Sequence, residues 1–508
     1  MCNVLLISPS SNTYYTLTAP LGLSYIAAQL EDQFDVYGLD LDVYRQIYQY
    51  NTESILKLVE TILLKYNIKY VGISVLEETL EEANQIAKIC KSQKICCIGG
   101  GVYPSLYPED LSKDFQFCIR GDGEYIMRDL LLYLERGNDI RNIQGISFYS
   151  IEQEKWIHIG QAGSITCKNS FLPSRHVFAQ LNKGFIYTAA RIITSRGCIY
   201  HCTFCTNQIY QSSYVRRDIE SIVEEIRILI ADGIKEIILS DDQFLGTSEK
   251  EYREALNILV AVKPFLIENN VRLNFQVRAD HWLKCIKILP EFSQTVCEIS
   301  NCFVDTNEQI HNLINGRTMH GVGIDLGVES FLDRKLIFFR KGYSSECNIK
   351  CIQSLINLPI DLGLYTILFT PDIKMEEIIK ELDIYYREYL SQNYKSKFLL
   401  ANFFKELVPY KGTRIHKELV KHGELLSERG YHFKDLRVSA FYLIITSELE
   451  NMTCNENISF LDLYTAILGV ADFCCRLEPR GSLKYALEKV ICNHRNQTDE
   501  IYSLLFNH

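Results

Sequence analysis

The chain has 508 residues, and its balance of 47% hydrophobic and 23% charged residues predicts two or three domains with packed cores. A net charge of -10 argues against a partner bound mainly through phosphates, so no nucleic acid partner is expected. No apolar run reaches the length of a membrane span, and no signal peptide is visible. The 18 cysteines, scattered without a small disulfide framework, indicate a reducing compartment, and a cytoplasmic protein is expected.

Residues 1–140 alternate between short apolar runs and amphipathic stretches, a pattern typical of a doubly wound, flavodoxin-like parallel sheet in the α/β class. The predicted helices include Leu21–Glu31 and Glu77–Cys90. The predicted strands are Asn3–Ser8, Phe34–Leu39, Tyr70–Ser74, Lys94–Ile98 and Phe115–Ile119. In such a sheet, ligands bind at the carboxyl ends of the strands.

Small or glycine-containing turns follow four of these strands, and such turns let the backbone approach a large flat or phosphate-bearing ligand closely. Tight strand-to-helix turns need glycine without any ligand as well, so one glycine alone is weak evidence. The candidate ligand-contacting residues of this region are Pro20, Leu21, Gly22, Ser74, Gly99, Gly100, Gly101, Gly121 and Glu124.

Residues 141–185 predict a linker that contains a hairpin, and residues 186–425 predict alternating strands and helices that form a partial barrel. The predicted barrel strands are Ala190–Ser195, Glu236–Ser240, Arg272–Val277, Gly323–Val328, Leu364–Phe369 and Asn402–Val408. Polar residues follow the strands, and active sites of barrels are built at the carboxyl ends of strands.

The first barrel strand leads into the sequence RGCIYHCTFC, which places Cys198, Cys202 and Cys205 within eight residues. Three thiolates can hold three irons of a cubane cluster and leave the fourth iron open to a small molecule. A closed zinc site with His201 or His176 as the fourth ligand is the alternative. That alternative predicts a zinc-stapled interaction protein without catalysis.

The spacing CxxxCxxC, with aromatic Phe204 before the last cysteine, resembles the signature loop of the radical S-adenosylmethionine (SAM) enzymes. The resemblance implies a 4Fe-4S cluster, SAM bound at its open iron, and cleavage of SAM to a carbon radical. It also implies that residues 186–425 form a partial (β/α)6 barrel. An electron donor such as a flavodoxin or ferredoxin is the implied partner.

SAM carries an amino group, a carboxylate and a ribose, which require carboxylates or amides and a cation around them. By the same resemblance, the segments SDDQF, FQVRAD and GVES lie at strand ends that contact SAM. Helix capping is the competing interpretation for Asp242. The expected SAM-binding residues are Phe204, Asp241, Asp242, Gln276, Arg278 and Glu329.

The ordered segments TAPLGLSYIAAQL, GISVLEET, IGGGVYPS and RGDGE resemble the cobalamin-binding domain that precedes the radical SAM domain in one subgroup. The resemblance implies that the candidate residues between Pro20 and Glu124 contact cobalamin. No histidine precedes His158, so this region offers no histidine as the lower ligand of cobalt. A domain that keeps the fold and has lost the cofactor is the alternative.

The segment Leu407–Leu425 resembles the stretch that closes the barrel in the same subgroup, and residues 426–508 predict a helical cap with amphipathic runs at Phe460–Cys475 and Leu483–Ile491. The resemblance as a whole implies a cobalamin-dependent radical SAM enzyme. The expected reaction is C-methylation of an unactivated carbon in a small molecule or peptide. Cyclisation, ring contraction or oxidation without methyl transfer is the alternative reaction.

Overall fold

The computed structural model describes residues 2–11, 16–160, 171–210, 214–305, 319–391, 397–427, 429–455, 458–488 and 490. The chain divides into two compact units. The first unit comprises residues 1–196 and 215–240, and the second comprises residues 197–214 and 241–508. None of the helices within the described ranges is both long enough and apolar enough to cross a membrane.

The first unit contains a seven-stranded sheet in the order β2-β1-β3-β4-β5-β6-β7. Its strands are β1 (Cys2–Ser8), β2 (Phe34–Asp40), β3 (Ile68–Ser74), β4 (Cys96–Gly100), β5 (Phe117–Ile119), β6 (Ile146–Ser150) and β7 (Lys155–Ile159). Strands β1 to β5 are parallel, as predicted, and β6 and β7 form the predicted hairpin. The hairpin extends the sheet by antiparallel pairing with β5. Residues 161–170 of the predicted linker lie outside the described residues.

Helices cover both faces of this sheet because alternate side chains of the buried strands point to opposite faces. Leu5 and Ile7 of β1 join one apolar layer, and Val4 and Leu6 join the other. Each fully buried aliphatic side chain contributes roughly 1.5–3 kcal/mol, so both layers stabilise the sheet. The helices are α1 (Leu21–Leu30), α2 (Leu41–Gln46), α3 (Thr52–Lys65), α4 (Leu80–Ser92), α5 (Val102–Leu106) and α6 (Glu124–Arg136).

The first unit also contains the beginning of the second alternating region. Strand β8 (Ala189–Ile192) pairs in parallel with β11 (Glu236–Leu239). Helix α8 (Ile219–Ala231) lies between them in the chain, and it buries one face through Ile222, Ile226 and Leu229. Two short strands, β9 (Ser195–Arg196) and β10 (Val215–Arg216), pair with each other in antiparallel orientation.

The second unit contains three parallel strands, β12 (Arg272–Val277), β13 (Val322–Glu329) and β14 (Asp361–Thr366), with β13 in the middle. Its longest helix begins at a capping box, in which Glu251 N donates to Ser248 Oγ and Ser248 N donates to the Glu251 carboxylate. The helices are α7 (Asn207–Tyr210), α9 (Glu249–Glu268), α10 (Ala279–Ile288), α11 (Glu291–Asn301), α12 (Asp333–Phe338), α13 (Ser345–Leu355), α14 (Met375–Tyr385), α15 (Lys397–Phe403), α16 (Arg414–Lys421), α17 (Leu436–Cys454), α18 (Phe460–Arg476) and α19 (Gly481–Glu488).

One predicted strand is wrong, and another is displaced. Asn402–Val408 was expected to be the sixth barrel strand, but its first two residues end helix α15, and within the described residues only Glu406 forms a bridge, to Phe369. The Phe403 ring stacks on Tyr385 at 4.5 Å, so aromatic packing outweighs the β propensity of this run. Strand β14 begins three residues before its predicted start at Leu364.

The predicted helical end of the chain is confirmed by α17, α18 and α19. Phe460–Cys475 lies within α18, and the start of the predicted run Leu483–Ile491 lies within α19. Ile491 and the residues after it lie outside the described residues.

Candidate functional site

The three cysteines lie in a loop of the second unit, residues 197–207, which we call the cysteine loop. Cys202 is buried, whereas Cys198 and Cys205 are partly buried. Thr203 anchors the loop, since its backbone N–H donates to Phe339 O at 3.1 Å and its hydroxyl donates to Phe338 O at 2.9 Å. The loop is therefore held by the end of helix α12.

The donor chemistry of the cysteine loop fits an iron–sulfur cluster. Burial raises the pKa of Cys198, and it raises the pKa of Cys205 to about 11; the nearby charge of Cys202 adds to both shifts. Loading of iron must therefore release thiol protons. Soft thiolates are the ligands that such clusters require, and a cubane spreads three cysteines over three irons.

The described residues do not form the closed zinc site considered above. Within the described ranges, no group of three or more His, Cys, Asp or Glu side chains, the three cysteines included, is placed so that it could hold a metal ion. The ring of His176 is 2.7 Å from the Glu31 carboxylate, and the side chain of His201 is exposed. Neither histidine supports the role of a fourth zinc ligand.

Asp242 joins the two ends of the cysteine loop. Its carboxylate accepts hydrogen bonds from the side-chain amide of Asn207 and from the backbone of Gly197. Burial raises the pKa of Asp242, and these two hydrogen bonds oppose the rise. The neighbouring Asp241 is buried, and its carbonyl accepts from Gln276 Nε2 at 2.7 Å. These contacts give Asp242 a role in shaping the loop.

Arg278 lies beside the buried cysteine. Its Nη1 is 3.9 Å from Cys202 Sγ, its Nε donates to Asp280 at 3.1 Å, and its Nη2 donates to Lys341 O at 2.6 Å. The guanidinium also lies over the Tyr200 ring, 3.6 Å from the ring centroid. The cation expected at this strand end is thus in place, and it faces a cysteine sulfur.

Glu329 is paired with a lysine that sequence reasoning missed. Lys341 Nζ lies 3.1 Å from Glu329 Oε1, and Glu329 has the left-handed φ of 61°. Burial by itself would lower the pKa of Lys341, but the Glu329 carboxylate and other neighbouring groups outweigh burial, and the pKa is raised. Lys341 follows helix α12 in the segment KGY, which has no recognisable spacing to the cysteines or to the strands.

Phe204 packs inside the second unit. Its ring meets Phe339 edge-on at a centroid distance of 5.2 Å. The structure thus brings Cys202, Arg278 and Phe204 to the cysteine loop or its anchor, and it links Glu329 to Arg278 through Lys341. Direct contacts of these side chains with SAM stay a prediction.

All nine candidate cobalamin-contacting residues lie after the carboxyl ends of β1, β3, β4 and β5, or at those ends, in the first unit. Gly101 has a φ of 105°, and a Cβ there would lie 3.0 Å from Val75 O, so this turn requires glycine. A Cβ on Gly99 would clash with Leu111, so packing within the sheet and its helices explains this glycine without a ligand. A Cβ on Gly22 would face open space. Of these three glycines, only Gly22 borders open space, whereas the fold itself requires Gly99 and Gly101.

Glu124 has a partner other than a ligand. Arg196 Nη2 lies 2.7 Å from its carboxylate, and Arg196 Nη1 lies 2.9 Å from that of Asp122. A second buried cluster at the same sheet edge was missed from the sequence: the Glu82 carboxylate accepts from Ser10 and from Arg45. Its members are far apart in the sequence, so no local motif indicates that they meet.

Comparisons with known proteins agree with this architecture. The model of the B12 binding domain matches residues 10–131, and that of the Radical SAM superfamily matches residues 192–383. An uncharacterized methyltransferase of Pyrococcus horikoshii is 24% identical over 425 residues, which cover 81% of each chain. Both family matches fall inside the ranges predicted for the two domains, 1–140 and 186–425; the exact boundaries stay predictions.

Two solved structures share the fold. The cobalamin-dependent SAM radical enzyme OxsB, with aqua-cobalamin and SAM bound, has a TM-score of 0.70 and 18% identity, over 100% of this chain and 78% of that one. The radical SAM methyltransferase TsrM of Kitasatospora setae, with tryptophan and a SAM analogue, has a TM-score of 0.62 and 17% identity, over 83% and 76%. The α/β class with a helical end is confirmed.

The cysteine loop and the parallel strands around it define an enzyme that uses SAM at an iron–sulfur cluster. The chain belongs to the radical SAM enzymes that carry a B12 binding domain. Its cofactors are a 4Fe-4S cluster, SAM and cobalamin. The non-catalytic zinc alternative is therefore wrong.

Proposed function

We propose that the chain is a cobalamin-dependent radical SAM methyltransferase that methylates an unactivated carbon of a small molecule or peptide. The observation that carries this proposal is the presence, in one chain, of a three-cysteine loop and a B12 binding domain. A relative named as a methyltransferase, which aligns over 81% of each chain, supports methyl transfer as the outcome.

When bound, the cofactors supply a carbon radical and a methyl donor, and the residues of the chain hold and shelter them. Asp242 closes the cysteine loop through Asn207 and Gly197. The Lys341–Glu329 pair places a cation and a carboxylate at the end of β13, the chemistry that a carboxylate and an amine or ribose of SAM would need. A flavodoxin or ferredoxin would supply the electron.

The test follows the methyl group. The protein, reconstituted anaerobically with iron, sulfide and cobalamin, is incubated with methyl-deuterated SAM, a reductant, and a set of small molecules and peptides. The proposal predicts a product that gains one CD3 group, together with S-adenosylhomocysteine and 5′-deoxyadenosine. Formation of 5′-deoxyadenosine with an unlabelled product would show cyclisation, ring contraction or oxidation, and would contradict methyl transfer.

A matched pair of variants assigns the chemistry to the cysteine loop. Cys202→Ala should load no intact 4Fe-4S cluster and form neither co-product. Cys302→Ala removes an exposed cysteine outside the loop and should behave as the parent. A Cys202→Ala protein that kept a full cluster and turned over would remove the basis of the proposal.

A further inference from the structure

The surroundings of Arg278 point away from its expected role as a ligand of the SAM carboxylate. Its side chain is only 9% exposed, and three different groups fix it, namely Asp280, the Lys341 carbonyl and the Tyr200 ring. This leaves Nη1 directed at Cys202 Sγ, 3.9 Å away. A planar guanidinium held at three points has one orientation, so its contact with the sulfur is built into the fold.

A hydrogen-bonded chain holds the Tyr200 ring under the guanidinium. The Tyr200 hydroxyl is bonded to His281 Nε2, and the Tyr252 hydroxyl is bonded to His281 Nδ1 at 2.6 Å. Burial lowers the pKa of His281 to about 4, so the ring is neutral near pH 7. A neutral imidazole donates at one nitrogen and accepts at the other, and both of its sites are used here.

We infer that Arg278 raises the reduction potential of the iron–sulfur cluster by holding a cation and an N–H donor at the Cys202 sulfur, and that Tyr200, His281 and Tyr252 position it. Reduction adds one negative charge to the cluster. A neighbouring positive charge and an N–H···S hydrogen bond both favour the more negative form. This inference rests on the cluster that the proposed function requires.

The other charges near this site do not supply the same contact. Lys341 Nζ is directed to Glu329 at 3.1 Å, and Asp280 binds Arg278 itself. Replacing Arg278 by a neutral residue would therefore remove the cation in contact with the Cys202 sulfur. It would also leave Asp280 with the largely exposed Lys284, 3.7 Å away, as its cationic partner. Both changes disfavour the reduced cluster.

The test is a redox titration of the full-length, cluster-loaded protein, without SAM, followed by electron paramagnetic resonance (EPR). Arg278→Gln should lower the reduced-to-oxidised ratio at a fixed potential at least tenfold, which is about 59 mV for one electron. Tyr200→Phe keeps the ring and loses the hydroxyl, so it should shift the ratio in the same direction by less. Arg253→Gln, a control on the exposed side of α9, should titrate as the parent.

Addition of SAM to each reduced sample separates this role from ligand binding. Arg278→Gln should still show a SAM-dependent change in the EPR spectrum. A variant with the potential of the parent that no longer responds to SAM would overturn the inference and make Arg278 a SAM ligand. If Arg278→Gln loads no cluster, Tyr200→Phe decides, because a parental potential in that variant would contradict the inference.

Different results would overturn the proposed function and the role of Arg278. A parent protein that loads no iron–sulfur cluster would overturn the proposed function and the inference together. A cluster-loaded parent with an Arg278→Gln potential equal to its own would overturn the inference alone.

Discussion

At the scale of single residues, the first unit buries the carboxyl group of Asp40, whose described hydrogen-bond donors are uncharged. Asp40 is 2% exposed, and it accepts hydrogen bonds from the Tyr187 hydroxyl at 2.8 Å and from the Asp42 backbone at 3.1 Å. Burial raises the pKa of Asp40 to about 7; the nearby Asp42 adds to the rise, and the Tyr187 hydrogen bond opposes it. The folded protein thus binds a proton at Asp40 that the unfolded chain releases near pH 4.

This residue predicts a pH dependence of stability. Because the folded-state pKa is raised, the contribution of Asp40 to stability is present at low pH and is lost as pH rises toward 7. Between pH 5 and pH 7 the parent should lose about 2 kcal/mol of unfolding free energy relative to Asp40→Asn, at about 1.4 kcal/mol per pH unit. Urea unfolding at several pH values measures the difference.

A matched variant checks that the effect belongs to the buried group. Asp129→Asn changes a side chain that is 48% exposed, and it is the surface control for the same measurement. Parallel stability curves for the parent and Asp40→Asn would contradict the assignment of this titration to Asp40.

At the scale of elements, one buried ion pair ties together the ends of β13 and β14 and the helices α12 and α14. Lys335 Nζ donates to Ile367 O at 2.7 Å, to Leu368 O at 2.8 Å and to Glu381 at 2.8 Å. The other carboxylate oxygen of Glu381 accepts from the Ser330 hydroxyl and the Phe331 backbone. All three ammonium donors are satisfied, so the pair fixes these strand ends.

Removing one partner of this pair should be severe, because the other charge is left buried. Lys335→Met should lower the unfolding free energy by about 3–5 kcal/mol, measured by circular dichroism in urea. Lys335→Met combined with Glu381→Met should cost less than the sum of the two single changes. Lys350→Met, at an exposed pair with Glu346, should leave stability close to that of the parent. A Lys335→Met protein as stable as this control would contradict the role of the pair.

The turn after β5 depends on a second paired cluster. Arg196 neutralises Asp122 and Glu124, whose side chains are both only 7% exposed. Arg196→Met should lower the unfolding free energy by at least about 2 kcal/mol, since two buried carboxylates lose their cation. Arg141→Met, in which the lost arginine is 78% exposed, is the matched control. Equal urea midpoints for the two variants would show that the cluster does not stabilise this turn.

Elements with a clear period could be predicted from the sequence, and elements set by tertiary packing could not. The alternation of apolar and polar positions located β12 to the residue. Asn402–Val408 has the composition of a strand, yet its first two residues belong to helix α15, where Phe403 stacks on Tyr385. The period of a sequence indicates which face of a single element is buried, whereas this contact joins two helices, α14 and α15.

The same distinction separates the parts of the site. The spacing of Cys198, Cys202 and Cys205 is local, so the cysteine loop could be predicted from a few residues. Lys341 meets Glu329 only after α12 has formed between them, and no local pattern announces that contact. Arg278 was expected as a cation near SAM, but its neighbours could be known only from the fold.

At the scale of the whole molecule, two cofactor-binding domains follow each other on one chain. The B12 binding domain matches residues 10–131, and the Radical SAM superfamily model matches residues 192–383. The chemistry belongs to the cofactors, and the chain contributes their binding, orientation and electrostatics. The central claim is therefore that the cysteine loop carries a 4Fe-4S cluster with an iron open to SAM.

The EPR spectrum of the reduced, anaerobically reconstituted protein, recorded with and without SAM, tests this claim most directly. The account predicts the signal of a reduced 4Fe-4S cluster, with g values that change when SAM is added, because SAM binds the iron that has no cysteine ligand. Cys302→Ala should give the same change, and Cys202→Ala should give neither the signal nor the change. A colourless, zinc-loaded protein, or a cluster signal that SAM leaves unaltered, would contradict the account.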